Sequence, residues 1–112
     1  VLKILSENRE ALENRLAARL EVKRIVVRDL DRPRPVAVDP ARLTTRVEDV
    51  LEDPDIRVVV ELIGGLEPAR SWVLAALRAG KHVVTANKAM LAMHGEEIFA
   101  LAAERRLDVF FE

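Results

Sequence analysis

The amino-acid sequence predicts an α/β fold, a parallel β-sheet with helices on both faces, and three observations support this prediction. Short β-branched segments alternate along the 112 residues with segments of helical periodicity. The strand-like segments are far enough apart to be joined by helical crossovers, as parallel strands require. One of them, Arg57–Ile63, reads RVVVELI and is almost continuously apolar, as is typical of a strand covered on both faces.

Composition and charge limit the classes of protein to which the chain can belong. With 50% apolar and 33% charged residues, the chain is expected to fold as one domain at most rather than to be disordered. The formal net charge of -1 provides no basic surface for nucleic acid or anionic lipid. No apolar segment approaches the ~20 residues that cross a bilayer, and the chain has no cysteine. We therefore expect a cytoplasmic protein that binds neither nucleic acid nor membrane.

The first half of the chain predicts a helix, a strand and a short second helix. Leucines at helical spacing predict that a helix is already running at residue 1, and the chain begins without methionine, so a piece of a longer protein is expected. Val22–Asp29 is β-branched and predicts a strand, which the turn residues and prolines of DLDRPRP end. Val47–Glu52 predicts one or two helical turns.

The second half predicts three further strands separated by two helices. After Arg57–Ile63 and a glycine pair, Pro68 is expected in the first turn of a helix that ends near Gly80. His82–Ala86 predicts a buried strand, Gly95–Arg106 an amphipathic helix, and the final DVFFE a closing strand. The aromatic residues are expected in the core: Trp72, Phe99, Phe110 and Phe111.

Candidate site residues follow the strands, because parallel α/β sheets bind ligands beyond the carboxyl ends of their strands. This rule selects Arg28 and Asp29, the pair Gly64 and Gly65, the segment Thr85 to Lys88, and Glu112. His82 and His94 have no carboxylate or cysteine at ligand spacing, so both are interpreted as structural or surface residues and no metal site is expected.

Each candidate also has a plainer interpretation. The glycine pair either lets a ligand approach the backbone or only forms a turn that needs positive φ. Arg28 suits a ribose 2′-phosphate and Asp29 a ribose hydroxyl, whereas both equally suit a surface ion pair. Lys88 suits a phosphate, a nicotinamide-side oxygen or a substrate carboxylate, whereas a lysine after a strand is often only solvated.

Taken together, these segments resemble the cofactor-binding domain of homoserine dehydrogenase. VVVELIGG, then EPA, then AALRAGKHVVTANKAMLAMHGEEI, then DVFFE follow in the order and spacing of that family. The resemblance is strong from Val58 to Glu112 and weaker from Val1 to Glu52, where VVRDLDRPR is similar to the family's second strand and turn.

The resemblance implies a Rossmann-like doubly wound parallel sheet that binds NADP or NAD. Enzymes of this family interconvert L-aspartate 4-semialdehyde and L-homoserine, on the route to threonine and methionine, and a homo-oligomer is expected at full length. By position, Arg28 would lie near the adenosine ribose, Thr85 with Ala86 near the nicotinamide, and Lys88 at the cofactor and reacting centre. Three residues would lie along the cofactor at the end of their strand: Ile63, Gly64 and Gly65.

The sequence also departs from that family. A complete domain of this kind begins with a strand and a glycine-rich loop that holds the pyrophosphate, and neither precedes Val1. We therefore expect residues 1–112 to be a partial NAD(P)-binding domain that lacks its first strand and is poorly stable or inactive alone. Two other functions remain open, another amino-acid dehydrogenase such as aspartate dehydrogenase and a non-catalytic NAD(P)-sensing regulatory domain.

Overall fold

The computed structural model describes residues 21–30 and 38–111, and the chain divides into two compact units, Val1–Arg46 and Val47–Glu112. The predicted first helix, most of the turn DLDRPRP and Glu112 lie outside the described residues. Within the described ranges, no helix is both long enough and apolar enough to cross a membrane.

The first unit contains a small parallel pair of strands. Strand β1, Ile25–Val26, pairs with β2, Leu43–Thr44, and the Val27 N–H extends the pairing to the Thr44 carbonyl at 2.8 Å. A 3₁₀ turn at Pro40–Arg42 leads into β2. The strand predicted at Val22–Asp29 is thus present but shorter, and β2 was not predicted because two residues carry no periodicity.

The second unit is an alternating α/β unit, as predicted. In chain order it contains α1 (Glu48–Leu51), β3 (Val58–Glu61), α2 (Ala69–Arg78), β4 (His82–Thr85), α3 (Lys88–Arg105) and β5 (Val109–Phe111). The three strands form a parallel sheet in the order β3-β4-β5. Since neighbouring strands in the chain are neighbours in the sheet, α2 and α3 are each a crossover between adjacent strands.

The core of this unit lies between helices α2 and α3 and one face of the sheet. Its side chains are excluded from solvent because α2 and α3 pack on each other and on Val83 of β4. The largest fully buried apolar residues are Leu77, Met90, Ile98, Val73 and Val83. The alternate strand residues point to the other face, where Val60 is 48% and Phe110 60% exposed. Helices on both faces therefore stay a prediction, because the predicted first helix is not described.

Local signals explain where α2 begins and ends. Pro68 occupies the N-cap, next to the first-turn position predicted for it. After α2 the chain turns through Gly80, whose φ is +82°, and the Lys81 N–H donates to the Ala76 carbonyl at 3.0 Å. This is the arrangement of a glycine-terminated helix, so the predicted end near Gly80 is confirmed.

Lys81 is a buried cation at the amino end of β4. The residue is 3% exposed, and its ammonium donates to the carbonyls of Asp53 and Ile56, each at 2.7 Å. These bonds join the segment after α1 to the start of β4 and provide the acceptors that a buried ammonium needs.

An exposed ion pair joins α2 to α3. The Arg70 guanidinium binds both carboxylate oxygens of Glu97 at 2.7–3.0 Å, a bidentate geometry. In the first turn of α2 the Ser71 hydroxyl donates to Glu67 at 2.6 Å, and this hydrogen bond lowers the pKa of Glu67.

Two predictions about this unit are wrong. Helix α3 begins at Lys88, not at Gly95, because Asn87 caps it. Phe99, Phe110 and Phe111 are 40–61% exposed instead of buried. Phe110 lies on the sheet face that no described helix covers, and the rings of Phe99 and Phe111 meet edge to face at 5.9 Å, largely in solvent. Trp72 is half-buried.

Candidate functional site

The candidate site lies where β3 and β4 end side by side. Glu61, the last residue of β3, is in register with Thr85, the last residue of β4. The two strands are parallel, so the loop that follows β3 and the loop that precedes α3 leave the same edge of the sheet.

A buried carboxylate connects these two strand ends. Glu61 is 4% exposed, and one carboxylate oxygen accepts the Thr85 hydroxyl at 2.6 Å. The other oxygen accepts the backbone N–H groups of Ile63 at 2.9 Å and Gly64 at 3.0 Å. Three donors thus compensate the loss of hydration that burial imposes on a carboxylate.

Asn87 extends this network to the start of α3. Its side-chain oxygen caps the helix by accepting the Met90 N–H at 3.0 Å, and its amide group donates to the Gly65 carbonyl at 2.6 Å. Its backbone N–H donates to the Thr85 hydroxyl at 3.0 Å. Every polar group of the 6%-exposed Asn87 side chain therefore holds one loop to the other or to the helix.

The glycine pair forms a turn that requires positive φ. Gly64 and Gly65 have φ values of +80° and +72°, which side chains with a Cβ rarely adopt. A Cβ built at either glycine would meet no heavy atom within 4 Å. The positive φ expected for such a turn is therefore observed, and the turn also leaves open space beside the backbone.

Lys88 is the first residue of α3 and is exposed. Among the residues that the structure describes, its side chain has no hydrogen-bond or ion-pair partner. Its charge lies at the positive end of an 18-residue helix, a position where a cation is unfavourable for the helix by itself. The ammonium and the helix dipole together make this end of the sheet attractive to an anionic group.

A shallow cleft opens between the two loops. It encloses ≈ 110 Å³ and is lined by Glu61, Leu62, Gly64, Ala86 and Asn87. Typical ligand pockets enclose roughly 300–1,000 Å³, so the cleft can hold one part of an extended ligand rather than all of it.

The structure places most of the predicted site residues on one edge. Ile63, Gly64 and Gly65 are in the loop after β3, and Ala86 and Lys88 lie at the start of the next crossover. Thr85 ends β4, but its side chain is 2% exposed and its hydroxyl is already engaged by Glu61 and the Asn87 N–H. Arg28 is exposed and lies in the first unit, two residues after β1.

Sequence reasoning missed Glu61, and it included Asn87 only as part of the candidate segment Thr85 to Lys88, without a role of its own. Glu61 interrupts an otherwise apolar strand, and a buried glutamate is rare unless it is paired, so its position was a usable signal. Asn87 precedes a lysine and a run of helix formers, which is the pattern of an N-cap. In the described part of the chain, no group of three or more potential metal-ligating side chains is found.

Parallel strands with helical crossovers, a glycine turn and a helix N-terminus at their carboxyl edge define the class of α/β domains that bind nucleotides. Comparison with known proteins identifies the family within this class. The model of the homoserine dehydrogenase NAD-binding domain matches residues 1–112, the whole chain. The chain therefore belongs to the family of homoserine dehydrogenase NAD-binding domains.

Individual relatives agree with this assignment. The homoserine dehydrogenase of Bacillus subtilis is 41% identical over 112 residues, which are 100% of this chain and 26% of that protein. The Synechocystis homoserine dehydrogenase is 52% identical over 93 residues, which are 83% of this chain and 22% of that protein. The chain thus spans about a quarter of the length of the relatives it matches.

Solved structures show the same fold. The homoserine dehydrogenase of Staphylococcus aureus at pH 6.0 superposes with a TM-score of 0.91 at 38% identity, over 99% of this chain and 29% of that one. The enzyme of Thiobacillus denitrificans superposes with a TM-score of 0.88 at 45% identity, over 99% of this chain and 26% of that one.

Proposed function

We propose that this chain is the nucleotide-binding part of an enzyme that interconverts L-aspartate 4-semialdehyde and L-homoserine with NAD(P)H. The observation that carries the proposal is the family match, which extends over all of residues 1–112. The described geometry supports it, because the glycine turn and the Lys88 helix end lie at the sheet edge where such domains bind dinucleotides.

The residues at this edge suit a dinucleotide. The absence of side chains at Gly64 and Gly65 leaves the turn backbone open to a flat, extended ligand, and Ala86 forms the opposite wall of the cleft. The Ile63 and Gly64 N–H groups are used by Glu61, so they orient the turn rather than bind the ligand. The cofactor, when bound, supplies the hydride.

We assign Lys88 to the reacting centre. An ammonium without a protein partner in the described residues, at the positive end of α3, can bind a carboxylate or phosphate and orient it. It also favours negative charge that develops on a carbonyl oxygen during reduction, since a fixed cation stabilises that charge without reorganisation.

Cofactor choice is assigned to the residues after β1. Arg28 provides a guanidinium suited to the 2′-phosphate of NADP, and the adjacent Asp29 provides a carboxylate suited to the ribose hydroxyls of NAD. The proposal is that Arg28 allows NADP binding, with NAD as the alternative cofactor.

Three further features are proposed for the full-length protein. An additional strand pairs with the free edge of β3, which is at one side of the described three-stranded sheet. The protein forms a homo-oligomer and works in the cytoplasm, as a biosynthetic enzyme of amino acids would.

The proposal is tested by an assay of the full-length protein. The oxidation of NADPH or NADH is followed by its absorbance after addition of L-aspartate 4-semialdehyde, and formation of L-homoserine is expected. If the protein instead oxidises the cofactor only with oxaloacetate and ammonia and forms aspartate, it is an aspartate dehydrogenase. Cofactor binding without turnover of either substrate would indicate a regulatory NAD(P)-sensing domain.

A further inference from the structure

Two loops of the candidate site are joined by a continuous set of buried and partly buried hydrogen bonds. It runs from the Ile63 and Gly64 N–H groups to the Glu61 carboxylate, then to the Thr85 hydroxyl, and from there to Asn87. Asn87 closes the set by donating to the Gly65 carbonyl. We call Glu61, Thr85 and Asn87 the polar bridge.

We propose that the polar bridge is a positioning device, which sets the glycine turn and the Lys88 end of α3 at the separation that the cofactor requires. The inference rests on the proposed function, since it concerns the same edge of the sheet. The three residues of the polar bridge are only 2–6% exposed, so their side chains are not accessible for direct contact with a ligand. They act through the backbone of the turn and through the first residue of the helix.

The chemistry of the bridge explains why an acid occupies the end of an apolar strand. Two backbone N–H groups donate to one oxygen of Glu61 and the Thr85 hydroxyl donates to the other, so residue 61 accepts three hydrogen bonds here. A carboxylate offers two acceptor oxygens for these bonds, whereas a glutamine has only one acceptor oxygen and adds two N–H donors. An apolar residue would leave the two turn N–H groups without this acceptor.

The bridge links loop backbone as well as strand ends. A buried carboxylate is costly unless its oxygens accept hydrogen bonds, and two of the three that Glu61 accepts come from the backbone of the loop after β3. The hydrogen bonds of the bridge reach the loop backbone at Ile63, Gly64 and Gly65 and the first turn of α3 at Met90. It couples β3, β4 and the N-cap of α3, the three elements from which the proposed cofactor contacts arise.

The test uses the full-length enzyme with substitutions at Thr85 and Glu61. Thr85→Val removes the hydroxyl at nearly constant shape, and Thr85→Ser keeps it. We expect Thr85→Val and Glu61→Gln each to weaken NADPH and NADH binding roughly tenfold, and Thr85→Ser to stay within about twofold of wild type. Dissociation constants are measured by the fluorescence of the reduced nicotinamide.

A double variant separates a shared bridge from two independent effects. If Glu61 and Thr85 act through one network, Glu61→Gln combined with Thr85→Val weakens binding about as much as the stronger single variant. If the double variant instead loses affinity by the product of the two single losses, on the order of a hundredfold, the residues act separately and the proposal is overturned.

Lys81→Met is the matched control. Lys81 is as buried as the bridge and also donates to loop carbonyls, but at the amino end of β4. Its replacement is expected to lower the Tm while leaving the cofactor dissociation constants unchanged. If Thr85→Val behaves as Lys81→Met does, with a lower Tm and unchanged affinity, the bridge is only structural and the proposal is wrong.

Amide hydrogen exchange measures the order of the two loops without cofactor, so it tests the positioning role separately from cofactor binding. In the cofactor-free protein, the amides of Ile63, Gly64 and Asn87 should exchange about tenfold faster in Thr85→Val and Glu61→Gln than in Thr85→Ser. Failure of the wild-type protein to bind NAD(P)H would refute the proposed function and, with it, the positioning role. Normal wild-type binding with unchanged exchange and affinity in both variants would refute the positioning role alone.

Discussion

At the scale of single residues, Lys88 has a local environment that does not favour it. It places a positive charge at the N1 position of an 18-residue helix whose first turn contains no acidic residue. A lysine there reduces helix stability slightly, so its presence is better explained by an anionic ligand than by the helix. The exposed side chain and the open cleft beside Ala86 agree with that explanation.

Replacement of Lys88 by alanine tests its role. In the full-length enzyme we expect kcat to fall about 10²-fold or more, because the proposed role of Lys88 is to hold a fixed positive charge at the reacting centre. The Tm should stay equal or rise slightly, since removal of a cation from the helix N-terminus is favourable by about 0.3–1 kcal/mol. Steady-state kinetics and thermal unfolding measure the two effects, and Lys88→Arg is the charge-keeping control. Near-normal turnover in Lys88→Ala would return Lys88 to the role of a solvated surface residue.

The role of Arg28 is tested by comparing how its replacement changes the KM values for NADPH and NADH. We expect Arg28→Ala in the full-length enzyme to raise the KM for NADPH roughly tenfold or more and that for NADH less than about twofold. The physical reason is that only NADPH carries a 2′-phosphate for the guanidinium to bind. Equal changes in KM for both cofactors would show that Arg28 does not bind the 2′-phosphate.

At the scale of elements, two glycines have opposite roles. Gly64 is in a turn with φ of +80°, where a side chain is strained whatever space is available. Gly95 lies inside α3, where its conformation is helical and glycine is a poor choice. A Cβ at Gly95 would meet the Phe99 ring at 3.8 Å, an ordinary contact distance.

These two positions predict opposite changes in stability. Gly95→Ala should raise the free energy of unfolding by about 0.5–1 kcal/mol, because alanine restricts the unfolded chain and favours the helix. Gly64→Ala should lower it by about 1 kcal/mol or more, since alanine at positive φ is strained. Denaturant unfolding of the full-length protein measures both. Destabilisation by Gly95→Ala would show that α3 has no room for the added methyl group.

At the scale of the whole molecule, the described sheet has one covered and one open face. Val58, Val60 and Phe110 are 48–60% exposed on the face opposite α2 and α3. Strand β3 also ends the sheet on one side. Exposed apolar strands with a free edge favour association with other chains and lower stability.

The polypeptide of residues 1–112 is therefore expected to behave differently from the full-length protein. It should bind a dye for apolar surfaces strongly, unfold with low cooperativity in urea, and show no measurable NADPH affinity. Fluorescence titration and urea unfolding of the two proteins side by side give the comparison. Cooperative unfolding of the 112-residue polypeptide together with NADPH binding would contradict this expectation.

Much of the fold could be predicted because its signals are local. The β-branched runs at Arg57–Ile63 and His82–Ala86 and the proline and glycine that flank α2 each determine an element from a few neighbouring residues. The start of α3 was misplaced because Gly95 was interpreted as the beginning of a helix. The N-cap bond from Met90 to Asn87 shows that the helix starts earlier and includes that glycine.

The residue types and their order were sufficient to predict the α/β class, the sheet edge where a ligand is expected, and the family. They could not show that Glu61, Thr85 and Asn87 form one hydrogen-bonded set, because 24 residues separate Glu61 from Thr85 and only the parallel register makes them neighbours. They could not show the exposure of Phe110 either, since burial depends on what packs against a strand. Local patterns specify elements, whereas contacts between residues distant in the chain arise only when those elements are assembled.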